Sequence, residues 1–125
     1  MIEVSGNIII EEGRLLLLYR EDEEHWEVPG GKVKEKESPT EAAVREAEEE
    51  IGVSVELEKP FYSGEFHHKD QIYLWHGYIA CLNGDPEIKE DRFTDMKWFN
   101  SEDLEDVEVA PNLKMIEPSL RRILE

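Results

Sequence analysis

The segment WEVPGGKVKEKESPTEAAVREAEEEIGV, residues 26–53, crowds Glu46, Glu48, Glu49 and Glu50 into little more than one helical turn, shortly after a Pro-Gly-Gly loop. Like charges three and four residues apart destabilise a helix by roughly 0.2–0.5 kcal/mol per pair. Arg45 is the only adjacent cation to offset them. A solvated helix face is the ordinary reading of such a run in a glutamate-rich chain. The repulsion favours another: hard divalent cations such as Mg²⁺ take carboxylate oxygens, keep several waters and bind readily beside substrate phosphates. Glu46, Glu49 and Glu50 on one helical face would form such a site, and the metal would give a destabilising arrangement a function.

Charge sharpens that reading. The 125 residues contain 14 Lys and Arg against 31 Asp and Glu, a net charge of −17. Such a surface repels nucleic-acid polymers and anionic lipid, which excludes both as expected partners. A small anionic substrate is repelled too, unless cations are built into its site. Cys81 is the only cysteine, so no intrachain disulfide is possible and a reducing cytoplasm is the expected location. No basic leader and no apolar run of roughly 20 residues is seen, so the expected protein is soluble, with no membrane partner. The length and an apolar share of 39% predict one folded domain over residues 1–125.

The elements that must position the glutamates are legible from periodicity. Gly6–Ile10 and Arg14–Arg20, RLLLLYR, read as paired strands around the turn Glu11-Glu12-Gly13, the second buried on both faces. A short strand at WEV precedes the Pro29-Gly30-Gly31 break. A helix follows with clear punctuation: Ser38 at the N-cap, Pro39 at the first helical position, Glu41 completing a capping box, and Gly52 at the C-terminal end. Val44, Ala47 and Ile51 are expected to seat it on a sheet, with Glu46, Glu49 and Glu50 projecting from the opposite side. Strands are then predicted from Val53, from Pro60, over Gln71–Leu82 and over Asp95–Asn100, with a helical turn from Ser101. A final helix starts near Asn112 and is expected to kink or restart at Pro118. Irregular alternation of strands and helices predicts a mixed sheet between helices. His67 and His68 are placed on a loop, and Cys81 is read as a small buried apolar residue. Trp75, Trp98, Tyr73 and Tyr78 are read as core.

The spacing of Gly31, Glu37, Arg45, Glu46, Glu49, Glu50 and Gly52 follows G-x5-E-x7-R-E-U-x-E-E-x-G-U, with U aliphatic and Val53 in the last place. It resembles the signature box of the Nudix hydrolases; a chance match has odds of about one in tens of thousands. Ala47, smaller than the usual aliphatic residue, is a mild departure. The resemblance implies an α/β (α+β) fold, an α/β/α sandwich with a mixed β-sheet. It also implies that Glu46, Glu49, Glu50 and the carbonyl of Gly30 ligate Mg²⁺, with Mn²⁺ as a substitute. Arg45 and Glu37 would orient the glutamates, Gly31 would permit the backbone turn, and Gly52 the helix stop.

Members of that family cleave a nucleoside diphosphate linked to another moiety, and the chain is most similar to the mutator-type (MutT-like) branch. That branch implies an additional catalytic or metal-binding glutamate at Glu90 in GDPEIKEDRF, with Glu87 and Asp91 as substitutes. It implies phosphate contacts from Arg20 and, in a similar way, Lys32, where the bland reading is a surface salt bridge. It further implies an aromatic residue against the base at Phe66 and an amide on the base edge at Asn112. The bland readings of these two are a core phenylalanine and a helix N-cap. The expected reaction converts a (deoxy)nucleoside triphosphate, including an oxidised purine, to monophosphate and pyrophosphate. Alternatives are an ADP-ribose, nucleotide-sugar or dinucleoside polyphosphate pyrophosphatase, or a non-catalytic nucleotide sensor. The chain is expected to be a monomer or homodimer.

Overall fold

The computed structural model describes residues 1–124. Its centre is a mixed sheet organised around β1 (Ile2–Glu11). This strand runs parallel to β6 (Gln71–Leu82), pairs antiparallel with β4 (Gly30–Lys32) through Val4–Gly6, and ends in a hairpin with β2 (Arg14–Arg20). In turn β2 carries β3 (His25–Glu27) and β7 (Phe93–Phe99), while β5 (Val55–His68) closes the other side against β6.

The run of four leucines explains the layers. A strand alternates its side chains between two faces. Leu15 and Leu17 therefore join Ile8, Trp26 and Trp75 in one core, with Leu113, Ile116 and Leu120 of α3 (Pro111–Ile123) and Leu104 of α2 (Ser101–Glu105). Leu16 and Leu18 join Ile9, Phe93 and Ala80 in the other, against Ala47 and Ile51 of α1 (Pro39–Ile51). Both faces of β2 are covered, and the result is the α/β/α sandwich with a mixed sheet. Full burial of each leucine contributes about 1.5–3 kcal/mol, so this one strand anchors both layers.

Several expectations need correction. The strands predicted separately from Val53 and Pro60 are the single strand β5, with register shifts between Leu57 and Lys59 and between Pro60 and Tyr62. An edge strand tolerates proline at a bulge because the lost ladder donor faces no partner there. His67 and His68 lie at the end of that strand and not on a loop. Cys81 is exposed: Ala80 takes the core position, and period two turns its neighbour outward. Helix α3 runs unbroken through Pro118. A mid-helix proline costs about 3 kcal/mol, and burial of Leu113, Ile116 and Leu120 on both sides of it outweighs that.

Candidate active site

Helix α1 begins as its residues dictate. Ser38 accepts a hydrogen bond from the Glu41 N–H at 3.1 Å, and the Glu41 carboxylate accepts the Ser38 N–H at 2.9 Å. It ends at Gly52, whose φ of 70° lies in the left-handed region that a side chain would disfavour. The helix does not turn all its glutamates to water. Residues 43, 46, 47 and 50 fall on neighbouring faces at three- and four-residue spacing. Glu46 and Glu50 accordingly flank Ala43 and Ala47, with relative exposures of 8% and 0%. Of the four clustered glutamates, only Glu48 and Glu49 project outward. The expectation that Glu46, Glu49 and Glu50 share the outer face fails for two of the three.

The loop before the helix fits against these carboxylates. Asn7, buried in β1, donates its Nδ2 to the carbonyls of Pro29 at 3.1 Å and Ala43 at 2.9 Å, which ties the Pro-Gly-Gly segment to α1. The Gly30 N–H donates to Glu50 Oε1 at 2.9 Å. A Cβ on Gly31 would sit 2.6 Å from the Glu46 carboxyl carbon. Gly31 has an ordinary negative φ within β4, so it serves close approach to Glu46 and not the backbone turn expected of it.

Arg45 is the hub of the outer layer. Its Nε and Nη2 donate to the two oxygens of Glu37 at 2.7 and 2.9 Å. Its Nη1 donates to Glu46 at 2.9 Å and Glu49 at 3.1 Å, and Nη2 also reaches the Lys32 carbonyl. The guanidinium and the Lys34 N–H hold the Glu37 carboxyl down to about 2. Burial, together with the neighbouring Glu46, pushes Glu50 well above the usual carboxylate range, although the Gly30 N–H and Arg92 oppose this.

The loop following β6 supplies the remaining groups. Its Glu87 and Lys89 N–H groups donate to the carbonyls of Ile51 and Glu50, satisfying free acceptors at the end of α1. That docking sets Glu90 and Arg92 beside the buried glutamates. Arg92 Nη2 donates to Glu50 Oε2 at 2.6 Å and lies 3.0 Å from Glu90 Oε1. The second approach has the distance of an ion pair without hydrogen-bond alignment, and Glu90 Oε1 remains a buried acceptor without a hydrogen-bond donor.

Glu46 and Arg92 border a cleft of ≈670 Å³. Gly30, Gly31, Lys32, Glu46 and Arg92 line one part of it, Arg20 and Glu27 another, and Phe66, Tyr73 and Asn112 a third. Phe66 stacks on Tyr73 with centroids 5.0 Å apart and planes within 11°. Arg20 pairs with Asp22 at 2.9 Å and approaches Glu27 at 3.7 Å. The N-cap of α3 is Ala110, so Asn112 lies inside the first turn and makes no cap. Hydrogen bonds from Trp26 N–H to the Glu108 carbonyl and from Ala110 N–H to the Trp26 carbonyl fix that helix start beside β3.

Residues 3–124 match the family model described as the NUDIX domain. The chain belongs to the Nudix family. It is 31% identical to the CTP pyrophosphohydrolase of Escherichia coli K12 over 121 residues, covering 89% of this chain and 84% of that protein. It is 37% identical to the 8-oxo-dGTP diphosphatase of the same organism over 65 residues, 51% of this chain and 50% of the relative. A MutT-like protein of Streptomyces ambofaciens is 40% identical over 58 residues, 46% of this chain and 38% of the relative. The matched segments thus span half or less of the last two relatives. Among solved structures, the MutT NUDIX hydrolase of Burkholderia pseudomallei superposes with a TM-score of 0.86 at 27% identity, over 94% of this chain and 95% of that one.

Within this Nudix domain Arg20, Gly30, Lys32, Glu46, Phe66 and Asn112 line the cleft, Glu49 and Glu90 line an acidic depression that shares Glu46 and Arg92 with it, and Glu37, Arg45 and Glu50 line neither. Among the described residues, no three Asp, Glu, His or Cys side chains converge on a single point as they would around an ion. The donor chemistry still fits a hard divalent cation, because Glu46, Glu50 and Glu90 offer carboxylate oxygens and one of these is buried and unmatched. Asn7 and Arg92 escaped the sequence reading, and Tyr73, read as core, instead lines the cleft and stacks on Phe66. The signal for Asn7 was a lone amide inside the apolar run GNIII; Arg92 had none, because its partners on α1 are 42 and 46 positions away.

Proposed function

We propose that this Nudix domain is a hydrolase that cleaves a phosphoanhydride bond of a nucleoside diphosphate derivative. The preferred substrate is a (deoxy)nucleoside triphosphate, converted to monophosphate and pyrophosphate. What carries this reading is one juxtaposition: Glu46 lines a cleft that also holds cations and a stacked aromatic pair, and Glu49 and Glu90 line the acidic depression beside it. Similarity to a CTP pyrophosphohydrolase along most of the chain supports a triphosphate substrate.

In this mechanism Glu46, Glu49, Glu50 and Glu90, with the Gly30 carbonyl, would hold Mg²⁺, or Mn²⁺ in its place. The bound ion would neutralise charge developing on phosphate oxygens and lower the pKa of water. Arg20 and Lys32 attract the phosphate chain into an otherwise acidic protein. Glu90 accepts a proton from the attacking water as its oxygen bonds to phosphorus, and the bridging P–O bond breaks with its electrons leaving on pyrophosphate. Arg45, held by Glu37, keeps Glu46 and Glu49 in place. Phe66 stacks on the base, and the Asn112 amide offers it a donor and an acceptor.

A panel of dGTP, 8-oxo-dGTP, CTP, ADP-ribose, UDP-sugars and diadenosine tetraphosphate with Mg²⁺, read for pyrophosphate and phosphate release, tests the proposal. Triphosphates should be turned over fastest, with pyrophosphate as product. A wide margin for ADP-ribose would remove the roles of Phe66 and Asn112. Binding of nucleotides without turnover of any would replace hydrolysis with sensing.

A further inference from the structure

Arg92 reaches the buried carboxylates of α1 from the loop after β6, on the side that borders the cleft. A single atom, Nη2, lies 2.6 Å from Glu50 Oε2, 3.0 Å from Glu90 Oε1 and 4.0 Å from Glu46 Oε1. One positive nitrogen among carboxylates from a helix and a loop is what a small divalent cation requires of the same side chains. The need for a cation there is electrostatic. Glu50 is fully buried, and an isolated buried carboxylate is strongly unfavourable unless it is paired. Yet Arg92 is not itself locked in: its side chain is 39% exposed and rests over the Phe93 ring at 4.8 Å. It borders both the large cleft and the acidic depression formed with Glu49, Glu90 and Asp91.

We propose that Arg92 is a built-in counter-cation for Glu46, Glu50 and Glu90: a divalent metal ion binds these carboxylates by displacing its guanidinium, which then turns into the cleft to meet a phosphate group. This deepens the proposed function and rests on its metal site. Two cationic partners cannot share one set of oxygens, so the measured metal affinity is the intrinsic affinity reduced by the fraction of molecules in which Arg92 is engaged. Removing the guanidinium should therefore tighten metal binding, whereas removing an ordinary structural arginine would weaken or spare it. The exposure of the side chain leaves it room to swing, and its place at the cleft border gives it a destination.

The test is Mn²⁺ titration of chelator-treated protein, followed by electron paramagnetic resonance of free Mn²⁺. The wild type is compared with Arg92→Gln, Arg92→Lys and Glu50→Gln. Arg92→Gln should bind Mn²⁺ about tenfold more tightly. Arg92→Lys should fall between it and the wild type, because the more strongly hydrated ammonium is a poorer partner for buried carboxylates. In steady state Arg92→Gln should also raise KM for a triphosphate by more than it changes kcat, since the freed guanidinium no longer meets the phosphates. If the glutamine variant unfolds without metal, chelator competition from the Mn²⁺-loaded protein gives the same affinity ratio. Unchanged or weakened Mn²⁺ binding in both Arg92 variants, with binding in the wild type and its loss in Glu50→Gln, would overturn the inference alone. Absence of Mn²⁺ binding in the wild type and both Arg92 variants, or full binding in Glu50→Gln, would overturn the metal site and the inference with it.

Discussion

At the glutamate end of the cleft, a continuous set of hydrogen bonds ties the loop, the helix and β1 together. Asn7 ties the glycine loop to α1, Gly30 donates to Glu50, and Arg45 links Glu37, Glu46 and Glu49. At the aromatic end, Phe66 and Tyr73 stack near the tip of a long hairpin. The polar ties there are ion pairs at the rim: Glu23 with His68 at 2.8 Å and with Lys69 at 2.5 Å. Buried hydrogen bonds are costly to break, whereas exposed ion pairs contribute little. The first end is built to fix chemistry, and the second is free to adapt to what binds it.

The sharpest way to break this contrast is Glu50→Gln. Turnover should fall by about 10²–10³-fold, as expected on losing a group that stabilises developing charge. The melting temperature by circular dichroism should hold or rise, because a neutral amide there removes the burial cost of the Glu50 carboxylate and its repulsion with Glu46. Glu49→Gln should lower turnover similarly, and unchanged activity in both at limiting Mg²⁺ would refute the ligand assignments. Next in size is Gly31→Ala. The added methyl must displace the Glu46 carboxyl from 2.6 Å, which should cost about 1–3 kcal/mol in urea unfolding and depress turnover.

At the adaptable end effects should be smaller and fall on binding. Phe66→Ala should raise KM for the preferred nucleotide about tenfold with little change in kcat, the scale of one lost base stack. Asn112→Ala should narrow the ratio between preferred and rejected bases in the same assay. A drop in kcat as large as that of Glu50→Gln would erase the distinction between the two ends.

The smallest expected effect is a pH dependence at the rim. The Lys69 ammonium and His68 hold the Glu23 carboxyl down to about 2, against an ordinary value of 4.5. A lowered folded-state value means that the ionised carboxylate stabilises the fold above about 4.5 and that this contribution is lost as pH falls toward 2. The melting difference between wild type and Glu23→Gln should be largest above that window and shrink below it. A difference independent of pH would show that the pair is held by packing alone.

Much of the glutamate end could be read along the chain because its parts are close in sequence. Ser38, Pro39, Glu41 and Gly52 announced α1 and its limits, and each sits where capping chemistry requires. Leu15–Leu18 announced a strand covered on both sides. The aromatic end was harder, since Phe66, Tyr73 and Asn112 come from β5, β6 and α3, which only the folded sheet brings together. Cys81 was misread because composition says how apolar a residue is, while the phase of a strand decides which way it faces.

The order of residues by itself determined the family, the glycine loop, the capped helix and the two-sided core strand, because local hydrogen bonding and periodicity act over a few positions. Only the tertiary structure decided that Glu46 and Glu50 turn inward while Glu49 stays out, and that Arg92 reaches them from a loop 42 residues beyond Glu50. Burial and charge pairing depend on what the rest of the chain packs against each side chain, and a contact across that much sequence leaves no local trace.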